Sequence, residues 1–322
     1  MATAVSLFSG CGGFDLGARQ AGVEILWAND INPHAAATYQ KYLPEVEFYL
    51  GDIRDVPGEA FPEADILIGC YPCQGFSAAA WRRWRGRGER NLFDNPDNYL
   101  FWEFIKAIPL VQPKFVFIEN VRGLRSSAQG WFFQAQKEAL EEAGYIVFSD
   151  LLNAKDYGVA QSRERIFIIG VRQDVQYSYI FPEPTHGPGR QTPYRTLSNT
   201  IGGLPMWPIG EFENIRFHGH YLTRNRKKTW NTYSYTIVAH SRHVPLHPFG
   251  EPMVKVGKDH WALQGPINRR LSWRECALIQ SFGQEFEPEG LLSAKYQQVG
   301  NSVPPLMGEL LVRQVVEFLE QQ

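Results

Sequence analysis

The chain has 322 residues, 44% hydrophobic and 20% charged, enough for one large domain or two modest ones around a sizeable core. Its formal net charge of −2 excludes a globally cationic surface, so a nucleic-acid partner would have to be gripped by local patches. Four cysteines are too few for a disulfide framework, no apolar run approaches the roughly 18 residues of a spanning helix, and residues 1–4 lack the positive start of a secretory signal. A soluble cytoplasmic protein with no membrane partner is expected.

Apolar β-branched runs alternate with helical patterns through the first half, the signature of an α/β fold with a parallel sheet wrapped by helices. Strands are predicted over residues 4–8, 24–28, 66–69, 115–118, 146–152 and 166–171, and helices near 14–21, 33–42, 100–108 and 129–143. Such sheets bind ligands beyond the carboxyl ends of their strands. From 173 to 268, Pro, Gly, His and aromatic residues scatter with weak periodicity, which reads as loops and short strands in a separate small domain. Helical patterning returns over 272–281 and 305–320, where Leu310, Leu311, Val315, Phe318 and Leu319 fall at helical spacing.

The first strand runs into Ser9-Gly10-Cys11-Gly12-Gly13-Phe14 and then a helix, so small residues let backbone approach a ligand at a helix N-terminus. Asp15 stands where G-x-G-x-x-G has its third glycine, which counts against a nicotinamide dinucleotide. A merely tight strand-to-helix turn is the plainer reading. Asp30 closes the second strand, and Asp52 follows the third in Leu50-Gly51-Asp52-Ile53. The first carboxylate can accept from both ribose hydroxyls and the second from an adenine amino group, which suits an adenosine cofactor without pyrophosphate. Taken singly, each acid reads first as a solvated loop residue or a helix cap.

The fourth strand leads to Gly69-Cys70-Tyr71-Pro72-Cys73-Gln74, which puts the Cys73 thiol on the rim where the cofactor should lie. Pro72 fixes the backbone before it, and a nearby helix end or arginine would favour the thiolate. Cys70 and Cys73 could instead be a redox pair or half a zinc site, but no second Cys/His pair has matching spacing, so no metal is expected. The fifth strand delivers Glu119 from four apolar residues, a setting that suits a general acid, with a capping or salt-bridged glutamate equally open. Arg163 and Arg165 share a face if extended and could hold a substrate carbonyl, a carboxylate or a structural ion pair.

Read in order, Phe8 to Phe14, Pro72-Cys73-Gln74, Glu119-Asn120-Val121, Gln161-x-Arg163-x-Arg165 and Gly300-Asn301-Ser302-Val303-Pro304 resemble the motif series of the bacterial DNA cytosine-5 methyltransferase family over nearly the whole chain. The resemblance implies a Rossmann-like S-adenosylmethionine-dependent methyltransferase fold. Residues 1–172 would form the first part of a catalytic and cofactor-binding domain, 173–268 an inserted target-recognition domain, and 269–322 a return segment that completes the catalytic domain. It implies that Cys73 adds to carbon 6 of cytosine while Glu119 protonates or hydrogen-bonds N3, with Arg163 and Arg165 in the same catalytic set. Carbon 5, made nucleophilic, then takes the methyl group of S-adenosylmethionine, and loss of its proton expels the cysteine. Stacking covers the ring face in a duplex, so the target cytosine must be flipped out.

The same resemblance assigns cofactor contacts to Phe8, Ser9, Gly10, Gly12, Gly13, Asp30, Ile31, Asp52, Ile53, Pro72, Leu100, Asn301 and Ser302; Ile31 departs from a position often aromatic in relatives. It makes the stretch 81–90, with Arg82, Arg83, Arg85, Arg87 and two tryptophans, a loop that closes over double-stranded DNA; a solvated basic loop is the bland alternative. Residues 221–230 and 241–248 resemble the recognition segment of the GGCC-methylating branch, in which arginines matching Arg224, Arg226 and Arg242 contact guanines. The arginine fork pairs with O6 and N7, although phosphate contact alone would position without specifying. A monomer, functionally paired with a restriction endonuclease without a stable complex, is implied. The tRNA-modifying branch shares most motifs but usually carries a different tripeptide after its proline-cysteine pair, whereas Gln74 is the DNA form. Intact Cys73, Glu119 and Arg163 count against a non-catalytic relative.

Overall fold

Seven strands, Thr3–Leu7 (β1), Glu24–Asp30 (β2), Glu47–Leu50 (β3), Ile66–Gly69 (β4), Phe115–Val121 (β5), Tyr145–Asn153 (β6) and Glu164–Arg172 (β7), form one sheet in the order β3-β2-β1-β4-β5-β7-β6. Every residue of β4 and β5 is buried, which is why both read as unbroken apolar runs and not as alternating ones. β1 pairs in parallel with β2 and β4, so the strand order reverses there and a crevice opens beyond its carboxyl end. The computed structural model describes residues 1–72, 75–76 and 92–322.

The sheet is mostly parallel, but β7 runs antiparallel to β5 from Phe115↔Val171 to Val121↔Arg165. Residues 154–163, which precede β7, carry a single 3-10 turn and no α-helix, so they cannot serve as the long crossover that a parallel return requires. Two strands outrun their predicted ends. β2 continues to Asp30 and β5 to Val121, which places Asp30 and Glu119 inside strands.

Helices Gly13–Gln20 (α1), Pro33–Tyr42 (α2), Phe101–Val111 (α3) and Trp131–Glu142 (α4) follow in this region. α2 starts where the sequence signals it: the Asn32 side chain accepts from the amides of His34 and Ala35, and Pro33 occupies the first turn. α4 starts later than residue 129 because Ala128, Gln129 and Gly130 all have positive φ.

Two compact units emerge: Met1–Leu152, Glu164–Pro182 and Gly308–Gln322 make the first, and Asn153–Arg163 with Glu183–Met307 the second. The first unit takes back the end of the chain through the helix Pro305–Leu319. A side chain at Gly308 would lie 2.6 Å from the Phe14 carbonyl, the Tyr179 hydroxyl donates to the Leu311 carbonyl at 2.8 Å, and Leu311, Val312 and Val315 are fully buried.

The second unit is largely irregular, with a short helix Leu197–Ile201, a hairpin of Val254–Gly257 (β8) and His260–Ala262 (β9), and helices Trp273–Ile279 and Leu292–Asn301. Residues 269–307, expected to rejoin the first domain, cluster here with 183–268. Arg269 forms a buried ion pair with Glu275 and donates to the Met206 carbonyl, and Arg270 donates to the carbonyls of Glu213 and Ile215. No helix among the described residues is long and apolar enough to cross a membrane.

Candidate active site

In the first unit, β1 ends in a loop held open by left-handed backbone: φ is 55° at Phe8, 58° at Gly10 and 82° at Gly12. A Cβ on Gly10 would enter open space, whereas one on Gly12 would press on the Tyr39 ring at 3.0 Å. The Ser9 amide donates to the Asn29 carbonyl, and the Gly10 amide donates to Asp30 Oδ2 at 2.8 Å. Asp30 Oδ1 accepts from the Asn32 amide at 2.8 Å. Burial pushes the Asp30 carboxyl up, against three backbone hydrogen bonds that favour its charged form. With three backbone bonds on two oxygens, one lone pair remains for a ligand hydroxyl.

Asp52 follows β3, which lies beside β2 in the sheet, and caps a short turn by accepting from the Arg54 amide at 3.0 Å. Hydrogen bonds from the Arg54 side chain hold its carboxyl down at about 2. Ile53 is buried, while Ile31 is 65% exposed. Beneath the glycine loop lies a network that the sequence reading missed. Asp15, 1% exposed, accepts from Ser6 Oγ and from Tyr39 Oη, both at 2.8 Å, and burial pushes its carboxyl up to about 6. Its signal was the acid in the place of a third glycine.

β4 brings Cys70, Tyr71 and Pro72 to the same rim. The Cys70 amide donates to the Leu7 carbonyl, and the buried Tyr71 ring meets Phe8 edge-on at 6.1 Å. Pro72 is half-buried beyond it, as is Leu100 ahead of α3. Cys73, Gln74, Arg82, Arg83, Arg85 and Arg87 lie outside the described residues. On the far side of that segment, a Cβ on Gly123 would sit 1.9 Å from the Phe76 carbonyl, so backbone meets backbone just after β5.

Glu119 is 7% exposed near the carboxyl end of β5. Arg165 Nε, on the antiparallel neighbour β7, lies 2.9 Å from Glu119 Oε1. The contact is an ion pair in distance, yet its angles do not make a hydrogen bond, and among the described residues Oε1 has no hydrogen-bond partner; neither has Nδ2 of the neighbouring Asn120. Buried polar atoms in that state are rare and point to a ligand or water.

Arg163 and Arg165 do not share an extended face, because β7 begins at Glu164 and leaves Arg163 in the preceding loop of the second unit. Arg163, 2% exposed, donates to the carbonyls of Ile237 (3.3 Å), Gly300 (3.2 Å) and Ser302 (3.0 Å). A Cβ on Gly300 would lie 2.3 Å from the Ala239 amide nitrogen, so only glycine permits this approach. Asn301 is exposed and Ser302 half-buried.

Arg224 and Arg242 are exposed on the second unit. Arg226, expected to face DNA, is instead 5% exposed and donates Nε to the Tyr221 carbonyl and Nη1 to the His243 carbonyl, both at 3.0 Å. Among the described residues no group of three or more His, Cys, Asp or Glu is placed to hold a metal. A cavity of about 750 Å³, lined by Trp102, Ile105, Pro109, Ala139, Tyr145 and Arg172 among others, borders none of the expected site residues.

A model of the C-5 cytosine-specific DNA methylase family matches residues 2–317. The Type II methyltransferase M.BspRI of Lysinibacillus sphaericus is 37% identical over 98% of this chain and 81% of its own length. The Type II methyltransferase M.BsuRI of Bacillus subtilis is 35% identical over 98% and 79%. Among solved structures, an Escherichia coli prophage protein described as a DNA modification methyltransferase superposes with a TM-score of 0.75 at 21% identity, covering 99% of this chain and 100% of its own; that likeness concerns the fold.

Proposed function

The chain belongs to the C-5 cytosine-specific DNA methylase family, and on that premise we propose how its residues methylate a flipped-out cytosine in double-stranded DNA. It is a DNA (cytosine-5-)-methyltransferase, of a family that uses S-adenosylmethionine. The observation that carries the catalytic reading is the buried Glu119 carboxyl group, which Arg165 flanks while its Oε1 has no hydrogen bond among the described residues. Such an oxygen can accept from an incoming polar ring, or donate to it once protonated.

Cys73, as thiolate, forms a bond to carbon 6, and the ring π electrons shift through carbon 5 and carbon 4 toward N3, where Glu119 supplies a hydrogen bond or a proton. Carbon 5 becomes nucleophilic. S-adenosylmethionine, when bound, supplies an electrophilic methyl group there. Loss of the carbon 5 proton restores the ring double bond and expels the Cys73 thiolate. Arg165 keeps Glu119 oriented throughout.

The first unit's residues fit that cofactor. The loop from Phe8 to Gly13 leaves open space above Gly10, Asp30 retains a lone pair for a ribose hydroxyl, and Asp52 with the buried Ile53 suits the adenine edge. We assign target recognition to the second unit, with GGCC as the site and the exposed Arg224 and Arg242 as readers of guanine. A monomer in the cytoplasm, acting beside a restriction endonuclease without a stable complex, completes the reading.

Bisulfite sequencing of DNA treated with the purified protein tests it. Protected cytosines should fall within GGCC, and Arg224→Ala or Arg242→Ala should relax the site at one base pair. Methylation at cytosines without a neighbouring guanine, or unchanged preference in both variants, would overturn the recognition assignment.

A further inference from the structure

Three consecutive carbonyls in the second unit are each held by a different buried side chain. Arg270 Nε donates to the Arg242 carbonyl at 3.1 Å, Arg226 Nη1 to the His243 carbonyl at 3.0 Å, and Tyr221 Oη to the Val244 carbonyl at 2.8 Å. The three donors form one block. The Tyr221 ring faces both guanidinium carbons, Arg226 at 4.6 Å and Arg270 at 4.9 Å, and the Arg226 Nε returns to the Tyr221 carbonyl. All three side chains are buried, and Arg242 itself is exposed.

Burying two guanidinium groups around one ring is costly, and apolar side chains of similar volume would fill the same space more cheaply. What apolar residues cannot do is fix main-chain oxygens. Arginine reads a guanine edge only with its fork in the right plane, and displacement of its backbone by a fraction of an ångström degrades both bonds. The carbonyls of residues 242–244 are therefore fixed by side chains that are themselves buried.

We propose that Tyr221, Arg226 and Arg270 are positioning residues, a clamp on three successive carbonyls that holds the Arg242–Val244 segment in the pose that discriminates the target. The proposal rests on the assignment of recognition to the second unit, and it adds Tyr221 and Arg270 to the determinants of specificity.

Tyr221→Phe deletes one hydrogen bond and keeps the ring; Arg270→Lys keeps the charge and loses the fork. The measurement is kcat/KM on the preferred site against its single-base-pair variants, with the melting temperature taken alongside and Arg242→Ala as reference. A lost hydrogen bond of this kind should lower discrimination about five-fold, at the base pair where Arg242→Ala also relaxes it. If Tyr221→Phe relaxes the site while Arg242→Ala does not, the clamp stands and the base-reading role of Arg242 falls. Should folded Tyr221→Phe and Arg270→Lys proteins both keep wild-type discrimination, with only the melting temperature lowered, the clamp is no more than core structure. If either variant does not fold, the other decides by the same ratio.

Discussion

Replacing Asp15 by asparagine should change the pH dependence of folding in a direction fixed by the Ser6–Asp15–Tyr39 network. Burial raises the Asp15 carboxyl from the ordinary 3.8 to about 6. Below pH 3.8 the group is protonated in the folded and unfolded chains alike and carries no penalty. Between there and about 6 the unfolded chain gives up its proton while the folded chain keeps it, so stability falls as pH rises. Above that the loss is complete. At about 1.4 kcal/mol per pKa unit it amounts to about 3 kcal/mol. Asparagine never ionises. Its amide also forces one of the two hydroxyls to turn and accept, but that cost is the same at every pH. Urea unfolding of both proteins at a series of pH values isolates the difference: the stability of the variant minus that of the wild type should climb by about 3 kcal/mol between roughly pH 4 and pH 7.5. A difference that stays flat across that interval would refute the reasoning, because it would mean that the carboxyl ionises as easily in the fold as in water.

Three further outcomes concern the chemistry. Glu119→Gln should slow single-turnover methylation by about two to four orders of magnitude while calorimetry still finds S-adenosylmethionine binding; an unchanged rate would leave Glu119 a structural partner of Arg165. Cys73→Ser should abolish methylation with cofactor binding retained, since a hydroxyl is a far weaker nucleophile at neutral pH. Wild-type protein should also form a denaturation-resistant adduct with DNA containing 5-fluorocytosine, where fluorine blocks the final elimination. Near wild-type turnover by the serine variant would remove Cys73 from the mechanism.

Local signals were legible in the chain, and long-range pairing was not. The start of α2 shows in Asn32-Pro33 because cap and proline act within a few residues. β5 was read as four residues because its apolar run ends at Ile118, yet Asn120 and Val121 stay in the ladder through partners at Ile166 and Arg165. The helix Leu292–Asn301 escaped notice because its buried face includes Gln298 and Gly300, which an apolar periodicity does not register. Asp30 and Asp52 are legible from strand-end position: Asp30 is the last residue of β2, and Asp52 lies two residues beyond the end of the adjacent β3. The resemblance places Arg226 against guanine, while the fold gives its donors to the Tyr221 and His243 carbonyls, contacts that no local pattern in the chain announces. The buried ion pair of Arg269 with Glu275 and the carbonyl contacts of Arg270 are likewise tertiary, and no periodicity in residues 269–307 announces them.

The helix that carries Gly308 has a consequence for how the protein is made. Leu311, Val312 and Val315 cover apolar surface beside Phe14, yet Pro182 and Gly308 are separated by nearly all of the second unit. On a ribosome adding about 5–20 residues per second, the nascent sheet waits on the order of ten seconds for its last helix. For that interval the nascent first unit presents an uncovered apolar face to chaperones and to its neighbours on the polysome, and the second unit must fold, or hold off, without capturing it.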